Sequence, residues 1–266
     1  MTMLGIRWTI GDVNPRGFAA LRLSVWGAWR LFGASARYRI HVNTVSLADA
    51  RARTGALPPA VEWEPVTRVL PACLAPHLDP SMAEGVAWKL VPLRAFPEDH
   101  ELALDNDLVL WRVPDALTDW LEGGAPFLLA EDVRACFGSF GELCGERPLN
   151  TGVRGLPPGF ALETALADVL ARRPGLLRSE LDEQGLQVAA LLGAGDVAVV
   201  GLDEVTICSP FPPHLPHLGS AGAHFVGLNS RRLGFRFDGR AAEEVRAEHW
   251  DRHAEEVARR VGVVVR

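Results

Sequence analysis

The stretch Leu102-Ala103-Leu104-Asp105-Asn106-Asp107-Leu108-Val109-Leu110-Trp111 decides how the rest of the chain is read. Glu101 to Leu104 reads as a buried strand, and it runs straight into two carboxylates. In open α/β sheets, ligands collect at the C-terminal ends of strands. Side chains at i and i+2 of extended chain share one face, so Asp105 and Asp107 can act together. Two such carboxylates can hold a divalent cation, which can also bridge the oxygens of a diphosphate. The cation would relieve their mutual repulsion. A plain turn is the alternative, because Asp and Asn favour turns in any protein. The triplet alone leaves both readings open.

Upstream, Ile6 to Ile10 reads as a strand ending at Gly11-Asp12. Pro15-Arg16 then opens an amphipathic helix. Its apolar positions Phe18, Leu21, Val25, Trp29 and Phe32 recur at helical spacing, and Gly33 stops it. Tyr38 to Val45 is rich in strand formers. A short helix is expected at Leu47 to Arg53, a strand at Val66 to Leu70, and a helix from Ser81 to Pro92 ending near Lys89.

Downstream, Pro114 to Leu121 reads as a helix and Phe127 to Ala130 as a strand followed by Glu131-Asp132. A strand at Asn150 to Val153 and an amphipathic helix at Gly159 to Arg172 come next. Ser179, with Asp182 three residues on, caps a further helix. Strands are expected at Val197 to Val200 and Val205 to Ile207, and a charged terminal helix at about 239–261. Strands alternating with helices predict one α/β domain over 1–266, with a mainly parallel sheet and helices on both faces.

The bulk numbers narrow the function classes. Hydrophobic residues at 48% supply a sizeable core, and a net charge of -6 argues against a general nucleic-acid binder. No apolar run approaches the roughly 20 residues of a membrane span. Met1 to Trp8 shows no basic-then-apolar leader pattern. Four cysteines (Cys73, Cys136, Cys144, Cys208) form no Cys-x-x-Cys pair, and the expected location is the cytoplasm.

Several other constellations read as structural. His214 and His217 lie in a proline-rich loop without fixed register, so a zinc site with His224 is disfavoured. His224 itself reads equally as a partner of the Asp pair or as a core histidine. His249 and His253 share one helical face and read as solvated. Gly193-Ala194-Gly195 follows a helix and reads as its stop. There is no nucleophile elbow and no Walker loop. Trp88 and Trp111 flank the Asp pair in sequence.

Taken in order, these segments resemble the GT-A fold glycosyltransferases, and most closely the family that includes glycogenin and bacterial lipopolysaccharide galactosyl- and glucosyltransferases. The resemblance rests on the strand ending in Asp105-x-Asp107, Lys89 upstream, Glu131-Asp132 after a strand, Asn150-Thr151-Gly152, Glu183-Gln184, and His224-Phe225-Val226-Gly227. It spans about residues 1 to 240. The chain departs from the family at Ser230, where a diphosphate-binding lysine is usual, with Arg231 and Arg232 beside it. It also has Glu183 for Asp, Gly185 for a following acid, and no aromatic in Gly11 to Asn14.

The resemblance implies sugar transfer from a nucleotide-diphosphate sugar, UDP-linked, to an unidentified glycan or small-molecule acceptor, with retention of configuration. It implies Mn²⁺ or Mg²⁺ held by Asp105, Asp107 and His224. Lys89, Asn106, Asn150, Gly152 and Arg231 would bind substrate, and Glu183, Gln184 and Asp132 would serve the chemistry. The alternatives are a sugar-phosphate nucleotidyltransferase, for which Gly11 to Gly17 is a poor version of the required loop, and a non-catalytic binding protein of the same fold.

Overall fold

A computed structural model describes residues 3–66, 69–78, 87–230 and 233–263. The N-terminal half is built on β1 (Leu4–Ile10), α1 (Pro15–Phe32), β2 (Ala36–Val42), α2 (Leu47–Thr54), β3 (Val61–Pro65), β4 (His100–Leu104) and β5 (Leu108–Leu110). There follow α3 (Asp115–Leu121), β6 (Phe127–Glu131), the single turn α4 (Gly141–Cys144), β7 (Leu149–Leu156), α5 (Leu162–Arg172) and α6 (Glu180–Ala194). The chain closes with β8 (Val197–Val200), β9 (Val205–Ile207), β10 (Gly222–His224), a small hairpin of β11 (Arg236–Phe237) and β12 (Arg240–Ala241), and α7 (Ala242–Arg260).

Seven strands form the main sheet in the order β3-β2-β1-β4-β7-β6-β8. All run parallel except β7, which is antiparallel to both β4 and β6. Strand order reverses direction at β1, since β2 and β3 lie on one side and β4 on the other. Such a switch point opens a crevice at the strands' C-terminal ends, and Asp105 follows β4 there. Because β7 is reversed, its first residues, Leu149 to Gly152, lie at that same edge. Asn150 and Gly152 therefore reach the crevice from the start of a strand and Asp105 from the end of one.

Local chemistry explains the main elements. Asn14 caps α1 by accepting the amides of Arg16 and Gly17, and Pro15 supplies the first helical φ. Phe18, Leu21, Val25 and Ala28 of that helix are fully buried in one core layer with Ile6, Trp8 and Ile40 of the sheet. A second layer joins α5 and α6 to β6 and β7 through Leu166, Leu170, Leu186 and Leu129. The expected capping box is present: Ser179 accepts the Asp182 amide while the Asp182 carboxylate accepts the Ser179 amide.

Several expectations need correction. The strand beside β2 is Val61–Pro65, upstream of the expected Val66 to Leu70, and alternation is weak there because it is an edge strand with mixed exposure. Of the helix expected from Ser81 to Pro92, only a 3-10 turn at Ala87–Leu90 falls within the described residues. β2 stops at Val42, where the Asn43 side chain caps a turn by accepting from Thr44 Oγ1 and its amide. α7 starts at Ala242 rather than Gly239, because Asp238 and Gly239 both adopt positive φ in the hairpin turn.

The three-stranded sheet β5-β10-β9 was not expected beyond β9. Leu108 to Leu110 lacks alternation because both faces are buried, and Gly222-Ala223-His224 lacks strand formers. β10 runs antiparallel to β5 with His224 opposite Leu108. That register sets His224 beside Asp107.

Candidate active site

Backbone hydrogen bonds fix the Asp105-Asn106-Asp107 turn. The Asp105 amide donates to Gly152 O at 2.9 Å, the Leu108 amide to Asp105 O at 3.1 Å, and the Phe225 amide to Asp107 O at 2.9 Å. The triplet is thus a turn and a carboxylate cluster at once. Asp105, Asp107 and His224 present ligand atoms that all lie within 4.8 Å of one another. His224 Nε2 is 3.5 Å from Asp105 Oδ2 and 3.4 Å from Asp107 Oδ1. Ligands at about 2.0–2.2 Å from one cation, at angles between octahedral and tetrahedral, stand roughly 2.8–3.6 Å apart. The donor set and its spacing therefore fit a divalent cation.

Gly152 makes room for the imidazole. A Cβ at this position would stand 2.6 Å from both Cε1 and Nδ1 of His224. Asn150 secures this part of β7, accepting the Gly152 amide at 2.9 Å and donating to Glu131 O at 3.2 Å. Asn106 faces away from the carboxylates. Its amide donates to Asn229 Oδ1 at 2.8 Å and to Gly17 O at 3.3 Å, and Asn229 returns a bond to Asn106 Oδ1 at 3.0 Å. Asn229 also donates to Asp107 Oδ2 at 3.2 Å, which orients that carboxylate. Nothing in the sequence reading singled out Asn229.

Electrostatics bind the cluster together. Lys89, the only lysine in the chain, sets Nζ 2.7 Å and 2.8 Å from the two oxygens of Asp105. Burial opposes charge on Asp105, but Lys89 and His224 outweigh it and hold the carboxyl well below the usual range. Burial likewise works against a charged His224, yet its bonds to Asp105 and Asp107 lift it to about 9. Lys89 and a charged His224 together offset the carboxylates, and a cation held there would displace the imidazole's proton.

Beneath Lys89 and Asp105 the cleft is lined by Arg7, Arg154, Glu183 and Gln187. Glu183 is 2% exposed, and burial pushes its carboxyl up to about 7. It accepts a hydrogen bond from Gln187, one helical turn further along α6, and Gln187 in turn accepts from Arg154. Under these lies a buried group of Arg7, Arg94 and Arg154 around the single carboxylate of Glu101. Three guanidiniums against one carboxylate leave the floor of the cleft positive, which favours an anion above it. The spacing of Gln187 from Glu183 was a readable signal. Arg7 and Arg154 gave none, because a charge inside a buried strand reads as an exception until its partner is known.

Other expected residues are not among those lining this cleft. The Gln184 amide donates to Cys136 O at 2.9 Å. Gly185, where an acid is usual, packs so closely that a Cβ would stand 2.1 Å from Phe137 O. Asp132 turns its carboxylate onto the Val133 amide at 2.7 Å. Trp111 donates to Ser220 O at 3.1 Å and lies under the Arg260 guanidinium. Arg231, Arg232 and the Trp88 side chain lie outside the described residues. Among the described residues, His214 and His217 form no metal-ligand cluster with His224. His249, read as solvated, is 2% exposed.

No protein-family model matches the chain, and no curated protein matches it in sequence. Solved structures do. The galactosyltransferase LgtC in complex with donor and acceptor sugar analogs is 14% identical with a TM-score of 0.57, over 98% of this chain and 97% of that one. A second LgtC structure, that of an active-site mutant, gives 14% and 0.56 over 93% and 95%. The bifunctional glycosyltransferase WbbM gives 13% and 0.53 over 97% of this chain and 52% of that one. The fold is that of the GT-A glycosyltransferases. The mainly parallel main sheet flanked by helices fits that fold, as the sequence resemblance implied.

Proposed function

We propose that this protein is a metal-dependent glycosyltransferase that moves a sugar from a nucleoside-diphosphate donor, UDP-linked, to a hydroxyl acceptor. One observation carries the reading: Asp105, Asp107 and His224 converge at the switch point of a glycosyltransferase-type sheet, with Lys89 against Asp105. Mn²⁺ or Mg²⁺ held there would supply charge neutralisation to a departing diphosphate. Lys89 adds a fixed positive charge beside it, and the guanidinium-rich floor adds more. Arg231, next to Ser230, is assigned the role of the family's diphosphate lysine. Ser230 O itself accepts from Arg246 at 2.6 Å, which pins the loop that carries it.

Glu183 carries the sugar-facing role. A buried carboxyl titrating near neutrality can accept a hydrogen bond from a sugar hydroxyl or hold a proton against one. Gln187 and Arg154 keep it in place. Gln184 and Asp132 are assigned supporting roles in the chemistry, and Asn106, Asn150 and Gly152 position the metal ligands. We read residues 1–266 as one such domain. Four free cysteines suit a reducing compartment, the cytoplasm. No described helix is long and apolar enough to cross a membrane.

The test is donor turnover. Incubation with a panel of UDP-hexoses and Mn²⁺ is expected to release UDP, EDTA to stop it, and Asp105→Ala/Asp107→Ala to abolish it. Release of pyrophosphate from a nucleoside triphosphate and a sugar phosphate, with no UDP release, would replace this reading by nucleotidyl transfer.

A further inference from the structure

A second set of ligating side chains lies in the small sheet's own core. Cys208 follows β9, and its amide donates to His224 O at 2.7 Å. Its thiol is buried at 1% exposure. His249 and His253, four residues apart on α7, present their rings 4.7 Å from each other. One ligand atom from each of Cys208, His249 and His253 lies within 4.8 Å of the other two. The surrounding layer is apolar, with Phe225, Trp250, Leu228 and Val257.

We propose that Cys208, His249 and His253 form a second metal site, separate from the carboxylate centre, that takes a borderline-soft divalent cation of the zinc class. The donor chemistry sorts the two sites. One sulfur and two imidazole nitrogens suit zinc, whereas the oxygen-rich Asp105-Asp107 pair suits magnesium or manganese. A helix fixes the spacing of an i, i+4 imidazole pair before any metal arrives. Both Nε2 atoms lie 3.1 Å from Pro216 O. That shared carbonyl holds the two rings side by side. A water can complete four-coordination around three such protein ligands. On binding, the Cys208 S–H bond breaks, a sulfur–metal bond forms, and the proton leaves to solvent.

The site joins α7 and the loop through Pro216 to the end of β9. Its neighbour β10 carries His224, and Phe225 packs its ring 4.7 Å from Trp250. An ion here would fasten the elements that present His224 to the first centre.

Cobalt(II) titration of the full chain tests this, because a cobalt–thiolate bond gives a near-ultraviolet charge-transfer band that a carboxylate–imidazole site lacks. The band is expected in the wild type and in Asp105→Ala/Asp107→Ala. It should be lost in Cys208→Ser and weakened at least tenfold in cobalt affinity in His253→Gln, whose half-buried position keeps the fold intact by circular dichroism. Zinc should displace cobalt and manganese should not. A folded wild type that gives no such band overturns the proposal, as does a band that survives unchanged in His253→Gln.

Discussion

Replacing Glu183 by glutamine probes the electrostatics of the cleft without emptying it. Glu183 is 2% exposed, and burial raises its carboxyl from 4.5 to about 7, with Lys89 and Arg154 opposing that rise. The folded protein therefore holds a proton more tightly than the unfolded chain does between those values. Stability is undiminished below about 4.5 and falls as pH rises through about 7, because the native state binds more protons across that window. At about 1.36 kcal/mol per pH unit the whole gap is worth about 3 kcal/mol, and about 2.5 kcal/mol of it falls between about pH 5 and about pH 8. Glutamine keeps an oxygen to accept from Gln187 and cannot titrate. Urea unfolding of wild type and Glu183→Gln, both in EDTA, would follow the stability difference across that range. The wild type is expected to lose about 2.5 kcal/mol relative to the variant on going to the higher pH. A difference that stays flat would refute the claim that Glu183 is a desolvated carboxyl.

Three further substitutions separate metal-ligand positioning from general stability. Gly152→Ala places a methyl 2.6 Å from the His224 ring; it should weaken Mn²⁺ binding at least tenfold by calorimetry while destabilising the fold by only about 1–3 kcal/mol. Asn229→Ala removes bonds to Asn106 and Asp107; a loss of about 1–3 kcal/mol in denaturant unfolding is expected, with weaker metal affinity. Glu101→Gln leaves Arg7, Arg94 and Arg154 without their shared carboxylate; it should cost about 3–5 kcal/mol, read as a lower denaturation midpoint.

How much of this was legible in the sequence depended on the kind of signal. Strands feeding polar turns, such as β4 into Asp105, and capped amphipathic helices, such as α1 and α6, announce themselves through local chemistry. The ordered motifs also carried the fold resemblance that the solved structures bear out. Pairings set by tertiary register were hidden. β5 and β10 are short and buried on both faces, so nothing local marks them as strands. Gln187 rather than Gln184 bonds to Glu183, because α6 turns Gln184 toward Cys136. Asn229 lies five residues beyond His224 in a loop whose course is set by Asn14 and Arg246. His249 belongs by sequence to a charged, solvated helix, and only its tertiary contact with the Pro216 carbonyl marks it as buried.

The central claim is that Asp105, Asp107 and His224 form a cation-dependent nucleotide site. Calorimetric binding of UDP to the purified protein, with and without Mn²⁺ and beside Asp105→Ala/Asp107→Ala, tests it most directly. The account predicts binding that requires Mn²⁺ and is lost in the double variant. Failure of UDP, GDP and other nucleoside diphosphates to bind in any condition, or equal binding by the double variant, would contradict it.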